Sequence, residues 1–154
     1  MKIYCVRHGN TVSSSVDPER PLSEEGREGV VRVARGLHKA GIIIPHLIHS
    51  PKLRAQQTAQ IFKDEMEPEQ VTESISTLDD NDSVEQWVSD INTWEEDTMI
   101  IGHLPFISQL MSALLVQDEN HYLLNYSPGT AVCLQKMDGA SQWVIQWIVN
   151  PDIY

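Results

Sequence analysis

The sequence predicts an α/β fold: a three-layer α/β/α sandwich with a mainly parallel central sheet ending in an antiparallel hairpin. Three observations predict it. Short apolar runs alternate with segments of helical periodicity over most of the chain. The runs at 2–6 and 98–101 are apolar almost throughout, as strands buried on both faces must be. The last two runs, Thr130–Lys136 and Gln142–Val149, alternate instead, and the Asp138-Gly139 turn signal lies between them.

The elements follow in order. Ile3, Tyr4, Cys5 and Val6 favour a strand, and the polar stretch from Arg7 to Pro21 ends it in a loop. Ser23 can cap a helix whose first turn carries Glu24 and Glu25. Val30, Val33, Ala34 and Leu37 recur along one face of that helix, and Gly41 stops it. His46–His49 reads as a second strand. Ser50-Pro51 is expected to start the next helix, with Ala55, Ala59, Phe62 and Met66 facing the core. A third strand is placed at Val71–Ile75. Asp82 or Ser83 then caps a helix bearing Val84, Trp87, Val88, Ile91 and Trp94. The Thr98–Ile101 strand turns through Gly102-His103-Leu104-Pro105 into a helix with Ile107, Leu110, Met111, Leu114 and Leu115. Trp143, Ile145 and Trp147 are expected on one buried face of the last strand.

A chain of 154 residues, 41% apolar and 21% charged, fits one globular domain spanning 1–154. No apolar run approaches the ~20 residues that span a bilayer, and Met1–Arg7 has no room for the apolar core of a signal peptide, so a cytoplasmic protein is expected. Cys5 and Cys133 then read as buried, reduced thiols. Net charge is −11, unevenly spread: residues 1–63 carry 10 basic and 5 acidic side chains, residues 64–97 carry 13 acidic and none basic. The acidic total disfavours nucleic acid as a partner, while arginines among small polar residues in the first segment suit an anionic ligand.

In open α/β sheets, ligands bind beyond the carboxyl ends of the strands. After the first strand comes Arg7-His8-Gly9-Asn10-Thr11, after the second His49-Ser50-Pro51-Lys52-Leu53-Arg54, and after the fourth Gly102-His103. Two arginines and two of these histidines suit a phosphoryl group. Guanidinium forks match its oxygens, a neutral imidazole can attack phosphorus, and a second imidazole can stabilise the charge of the transition state. Ser50 reads as the cap of the helix carrying Arg54. His46 and His49, three apart on a strand, face opposite sides and cannot share a metal.

Val6-Arg7-His8-Gly9, Ser50-Pro51-Lys52-Leu53-Arg54-Ala55-Gln56-Gln57-Thr58-Ala59 and Ile101-Gly102-His103-Leu104-Pro105, in this order, resemble the motifs of the histidine phosphatase superfamily, the phosphoglycerate-mutase-like group. Arg20-Pro21-Leu22-Ser23 and the short chain are most similar to its SixA-type phosphohistidine phosphatases. The resemblance implies His8 as the phosphoryl-accepting nucleophile. Arg7, Arg54 and His103 would complete the phosphate pocket, with Asn10 near it and Thr11 a weaker candidate. It implies no metal or other cofactor. It also implies a phosphorylated protein as substrate, such as a histidine-phosphotransfer domain.

Expelling an alkoxide needs an acid, whereas imidazole leaves more readily. Many members of the superfamily place a carboxyl group after the third strand. Leu78-Asp79-Asp80-Asn81-Asp82 occupies that region here, with Asp80 the nearer match and Asp79 its neighbour. The expected activity is therefore hydrolysis of protein phosphohistidine by a monomer, through a phosphorylated His8. The alternatives are a phosphomonoesterase on small esters or phosphoserine, with Asp80 as acid, and a non-catalytic phosphate-binding module.

Overall fold

The computed structural model describes residues 1–153. Among these residues the strands are β1 (Lys2–Arg7), β2 (His46–His49), β3 (Gln70–Glu73), β4 (Thr98–Gly102), β5 (Ala131–Lys136) and β6 (Trp143–Val149). They form one sheet in the order β3-β2-β4-β1-β5-β6, parallel from β3 to β1 and antiparallel from β1 to β6. The helices are α1 (Glu24–Lys39), α2 (Leu53–Met66), α3 (Val84–Ile91) and α4 (Phe106–Val116). The fold is the three-layer α/β/α sandwich with a terminal hairpin that the sequence predicts.

Alternation along β1 divides the core. Tyr4 and Val6 join Val30, Val33, Ala34 and Leu37 of α1 and Ala55, Ala59 and Phe62 of α2 on one face of the sheet. Ile3 and Cys5 join Ile91 of α3 and Phe106, Ile107, Leu110 and Met111 of α4 on the other. Ser23 caps α1 by accepting from the Gly26 N–H at 2.9 Å, and Ser83 caps α3 by accepting from the Gln86 N–H at 3.2 Å. Cys5 and Cys133 are both free and buried.

Three expectations are corrected. First, α2 begins at Leu53, with Lys52 at its cap position and no side-chain cap; Ser50 is not the cap. The Ser50 N–H is already spent on the Ile101 carbonyl at 3.0 Å, so Ser50 continues the sheet rather than opening the helix. Second, β3 covers Gln70–Glu73 and stops short of Ile75, which is wholly exposed. The Ser74 N–H bonds the His49 carbonyl at 2.8 Å, closing the edge of the sheet. Third, the last strand does not keep its aromatic residues on one face. A register shift pairs Cys133 with Trp147 and Leu134 with Ile145, so one extra residue turns Trp147 to the opposite side from Trp143. Trp147 packs against Tyr4 at 5.7 Å between ring centroids, Trp143 lies in the other core, and Ile145 is 44% exposed.

One close approach ties α1 to the loop after β1. The Ser23 N–H bonds the Asn10 carbonyl at 3.0 Å, and a Cβ on Gly26 would lie 2.0 Å from that same oxygen. Helix propensity favours Gly26→Ala by about 1 kcal/mol, but forcing a methyl group against fixed backbone costs up to about 3 kcal/mol. The clash wins. Gly26→Ala is expected to lower Tm by about 5 °C in a thermal melt and to disturb the segment just beyond His8; an unchanged or raised Tm would contradict this.

Candidate active site

The site is assembled by strand register. Arg7 pairs with Gly102 and His49 with Ile101, so β1, β4 and β2 end side by side. The connections leaving them are joined by backbone bonds: His8 N–H to the Gly102 carbonyl at 3.1 Å, Ser50 N–H to Ile101 at 3.0 Å and His103 N–H to Leu78 at 3.0 Å. Gly102 fits because a Cβ there would lie 3.0 Å from Leu78 Cβ and 3.1 Å from the Leu78 oxygen. Residues drawn from four separate stretches of sequence therefore face one another.

His8 and His103 are both buried, with ring centroids 5.0 Å apart and the rings inclined at 50°. His8 Nδ1 lies 2.8 Å from the Gly9 carbonyl oxygen. A carbonyl only accepts, so Nδ1 carries the proton and Nε2 keeps its lone pair. Burial pushes the His8 pKa down to about 4, reinforced by the nearby Arg54, Arg7 and Arg20 charges and opposed by the bond to Gly9. His103 is pushed down to about 3, by burial first and then by His8, Arg54 and Lys52. Both rings are neutral at pH 7.

Arg7 donates from Nη1 to the Tyr126 carbonyl at 2.7 Å, and Tyr126 in turn donates its hydroxyl to the Cys5 carbonyl. Arg54 lies in the first turn of α2, where Thr58 donates to its carbonyl at 2.8 Å and accepts from the Gly9 N–H at 3.0 Å. The Arg7 Nε, Arg54 Nε and His103 Nδ1 atoms are buried and make no hydrogen bond. Buried polar atoms are ordinarily paired. Arg54 acts electrostatically on both histidines and Arg7 on His8, so the two arginines and the two rings share one neighbourhood, and guanidinium N–H groups of this kind suit oxygen acceptors.

Placement of the other candidates varies. Asn10 is exposed, and its backbone carbonyl is engaged by Ser23. Thr11 accepts from Arg20 Nη2 at 3.1 Å. Asp80 is exposed, whereas Asp79 is buried. Asp79 Oδ2 accepts from Lys52 Nζ at 2.6 Å, and its Oδ1 accepts from the Thr77 hydroxyl at 2.7 Å and the Asn81 N–H at 3.1 Å. Desolvation alone would raise its pKa, but these bonds together hold the carboxyl well below the usual range, so it is ionised. Sequence reasoning gave Arg20 and Lys52 no role of their own at the site. Arg20 is close enough to act electrostatically on His8, Arg7 and Arg54, and Lys52 on His103. The Arg20-Pro21-Leu22-Ser23 segment was the available signal for the first. Among the described residues, no three His, Cys, Asp or Glu side chains group closely enough to hold a metal ion.

This arrangement defines an α/β protein that gathers two arginines and two neutral histidines, one with a free Nε2, at the carboxyl ends of its strands. The family model for the histidine phosphatase superfamily (branch 1) matches residues 3–79, half of the chain, and the chain belongs to that family. It is 27% identical over 132 residues to an uncharacterised protein of Picosynechococcus, covering 80% of this chain and 78% of that one. Among solved structures, it is similar to the protein histidine phosphatase SixA complexed with tungstate, at TM-score 0.84 and 21% identity, covering 99% of each chain. It is also similar to the alpha-ribazole phosphatase from Shigella flexneri, at TM-score 0.75 and 16% identity over 98% of this chain and 97% of that one. These structures share the fold.

The lowered histidine pKa values make a pH prediction. The unfolded chain takes up these two protons below about pH 6.5, the folded chain only near pH 4 and pH 3. Between those limits the unfolded state binds more protons, so stability is lost as pH falls from 6.5 toward 4. In an NMR titration of the free protein, His8 and His103 should not titrate between pH 6 and 8. Sulfate, a dianion throughout that range, should move at least one midpoint upward. A His8 midpoint above 6 without added anion would refute the description.

Proposed function

We propose that this protein hydrolyses phosphohistidine on a protein substrate through a phosphorylated His8. The observation that carries this reading is the state of Asp79. It is the buried carboxylate of the loop after β3, and the Lys52 ion pair holds it ionised, so it has no proton to give an alkoxide. Asp80, the other candidate acid, is exposed to solvent. Phosphohistidine tolerates that lack, because its leaving imidazole can be protonated by solvent.

In the proposed reaction the His8 Nε2 lone pair attacks phosphorus while the P–N bond to the substrate imidazole breaks. The departing imidazole takes a proton from water. Arg7, Arg54 and His103 carry the charge on the equatorial oxygens. Water then forms a P–O bond as the Nε2–P bond breaks, releasing inorganic phosphate and restoring neutral His8. Neutral His8 is required for attack, and burial beside cationic groups supplies it at pH 7.

Access favours a protein substrate. The loop after β1 is pinned by the Thr11–Leu22 bridge and the Val12 N–H to Pro21 bond, which leaves only a short tip around Ser13–Pro18 beyond them. Val16 and Ile75, on the loops after β1 and β3, stand exposed at the same end of the sheet as His8. A histidine-phosphotransfer domain met by a monomer of this chain is the partner this reading expects.

Two experiments test the proposal. His8→Ala should abolish turnover, and rapid quenching should trap an acid-labile, base-stable phosphoenzyme in the wild type alone; wild-type turnover by the variant would end the covalent scheme. Separately, kcat/KM on phosphohistidine protein and on a small phosphate ester should be compared in wild type, Asp79→Asn and Asp80→Asn. The wild type should prefer phosphohistidine, with Asp80→Asn within about twofold of it. A wild type that prefers esters, and loses roughly 10²–10⁴ in either variant, would instead identify a phosphomonoesterase with a working general acid.

A further inference from the structure

Ser50 follows β2 directly and is completely buried. Its hydroxyl oxygen accepts from the Lys52 N–H at 3.2 Å and lies 2.7 Å from His103 Nε2. The hydroxyl has one hydrogen to give, and a neutral imidazole has one N–H. Two arrangements are possible. If His103 donates from Nε2, the Ser50 hydrogen is buried without an acceptor and Nδ1 is left as a bare lone pair. If Ser50 donates, its hydrogen and the Nε2 lone pair satisfy each other, and Nδ1 carries the proton. The second arrangement leaves fewer buried groups unpaired. The group it does leave, Nδ1–H, is a buried nitrogen without a partner, as are Arg7 Nε and Arg54 Nε, and Arg54 lies close enough to act on the ring.

We infer that Ser50 is a positioning residue that donates to His103 Nε2 and holds the ring in its Nδ1–H tautomer, so that a neutral N–H is offered to the phosphoryl group. The two histidines then carry complementary roles in the same protonation state. His8 is Nδ1–H because a carbonyl takes that proton, leaving Nε2 to attack. His103 is Nδ1–H because a hydroxyl takes the Nε2 lone pair, leaving a donor. Lys52 completes the device: its backbone N–H occupies a lone pair of Ser50 Oγ, and its ammonium disfavours a second proton on His103.

This inference rests on the cluster being the catalytic site, not on phosphohistidine being the substrate. The experiment is a two-bond ¹H–¹⁵N correlation spectrum of the full-length protein with labelled histidine at pH 7. The wild type should show His103 with a protonated Nδ1 and an acceptor-type Nε2. Ser50→Ala should shift that ring toward the Nε2–H form and lower kcat about tenfold, the usual worth of one hydrogen bond, on whichever phosphoryl substrate the wild type turns over. Ser50→Thr, which keeps the hydroxyl, should restore the Nδ1–H signature. An Nε2–H signature in the wild type would overturn the inference even if the variants fail to fold. So would an unchanged tautomer in Ser50→Ala, whatever its kcat. A wild type active only on esters would sink the substrate proposal and leave this one standing.

Discussion

The structure depends on the parallel pairing of β4 with β1 on one side and β2 on the other. That register sets Arg7 opposite Gly102 and His49 opposite Ile101. The site residues then lie at or within a few positions of a strand end: Arg7 closes β1, His8, Ser50 and His103 each stand one residue beyond their strands, and Arg54 stands five beyond β2. A slip of one residue would turn each strand's core side chains to the wrong face, so the same apolar packing that stabilises the sheet also sets the geometry of the site. The backbone bonds from His8 to Gly102, Ser50 to Ile101 and His103 to Leu78 extend the ladder past the strands and carry that precision into the loops.

Burial then decides the chemistry of what the register brings together. Arg7 and Arg54 stay charged although desolvation lowers both. The histidines yield instead, and become neutral. An imidazole is the softer group because its ordinary pKa lies near 6.5, within reach of desolvation and cationic neighbours. The result is a pair of neutral imidazoles set among charged guanidinium groups. Under the proposed function, the same cations that suppress protonation of His8 would also attract the phosphoryl group. Asp79 limits this field from one side: paired with Lys52, it binds the ammonium beside the site without becoming an acid itself.

Much of the fold was legible because its causes are local. Apolar runs buried on both faces, the cap at Ser23 and an Asp-Gly turn all act within a few residues, and of the two caps the sequence allowed for α3, Asp82 or Ser83, the structure uses Ser83. The errors fell where a distant partner prevailed over a local signal. Ser50-Pro51 looks like a helix start, but Ser50 is bonded to Ile101 and His103, more than fifty residues away. Trp143, Ile145 and Trp147 alternate in the sequence, but a bulge opposite Cys133 and Leu134 breaks the alternation and lets Trp147 cover Tyr4.

By itself the sequence determined the fold class, and it placed two arginines and two histidines at corresponding strand ends, because periodicity and strand termini are written in consecutive residues. The three motifs, in their order along the chain, are specific enough to indicate the family. Only the tertiary structure decided which of two adjacent carboxylates turns inward, that Arg20 and Lys52 share the field of the site, and that the Ser50 hydroxyl meets a histidine. The reason is physical: orientation, desolvation and hydrogen-bond partnership are properties of groups that meet across the sheet, and no spacing along the chain encodes them.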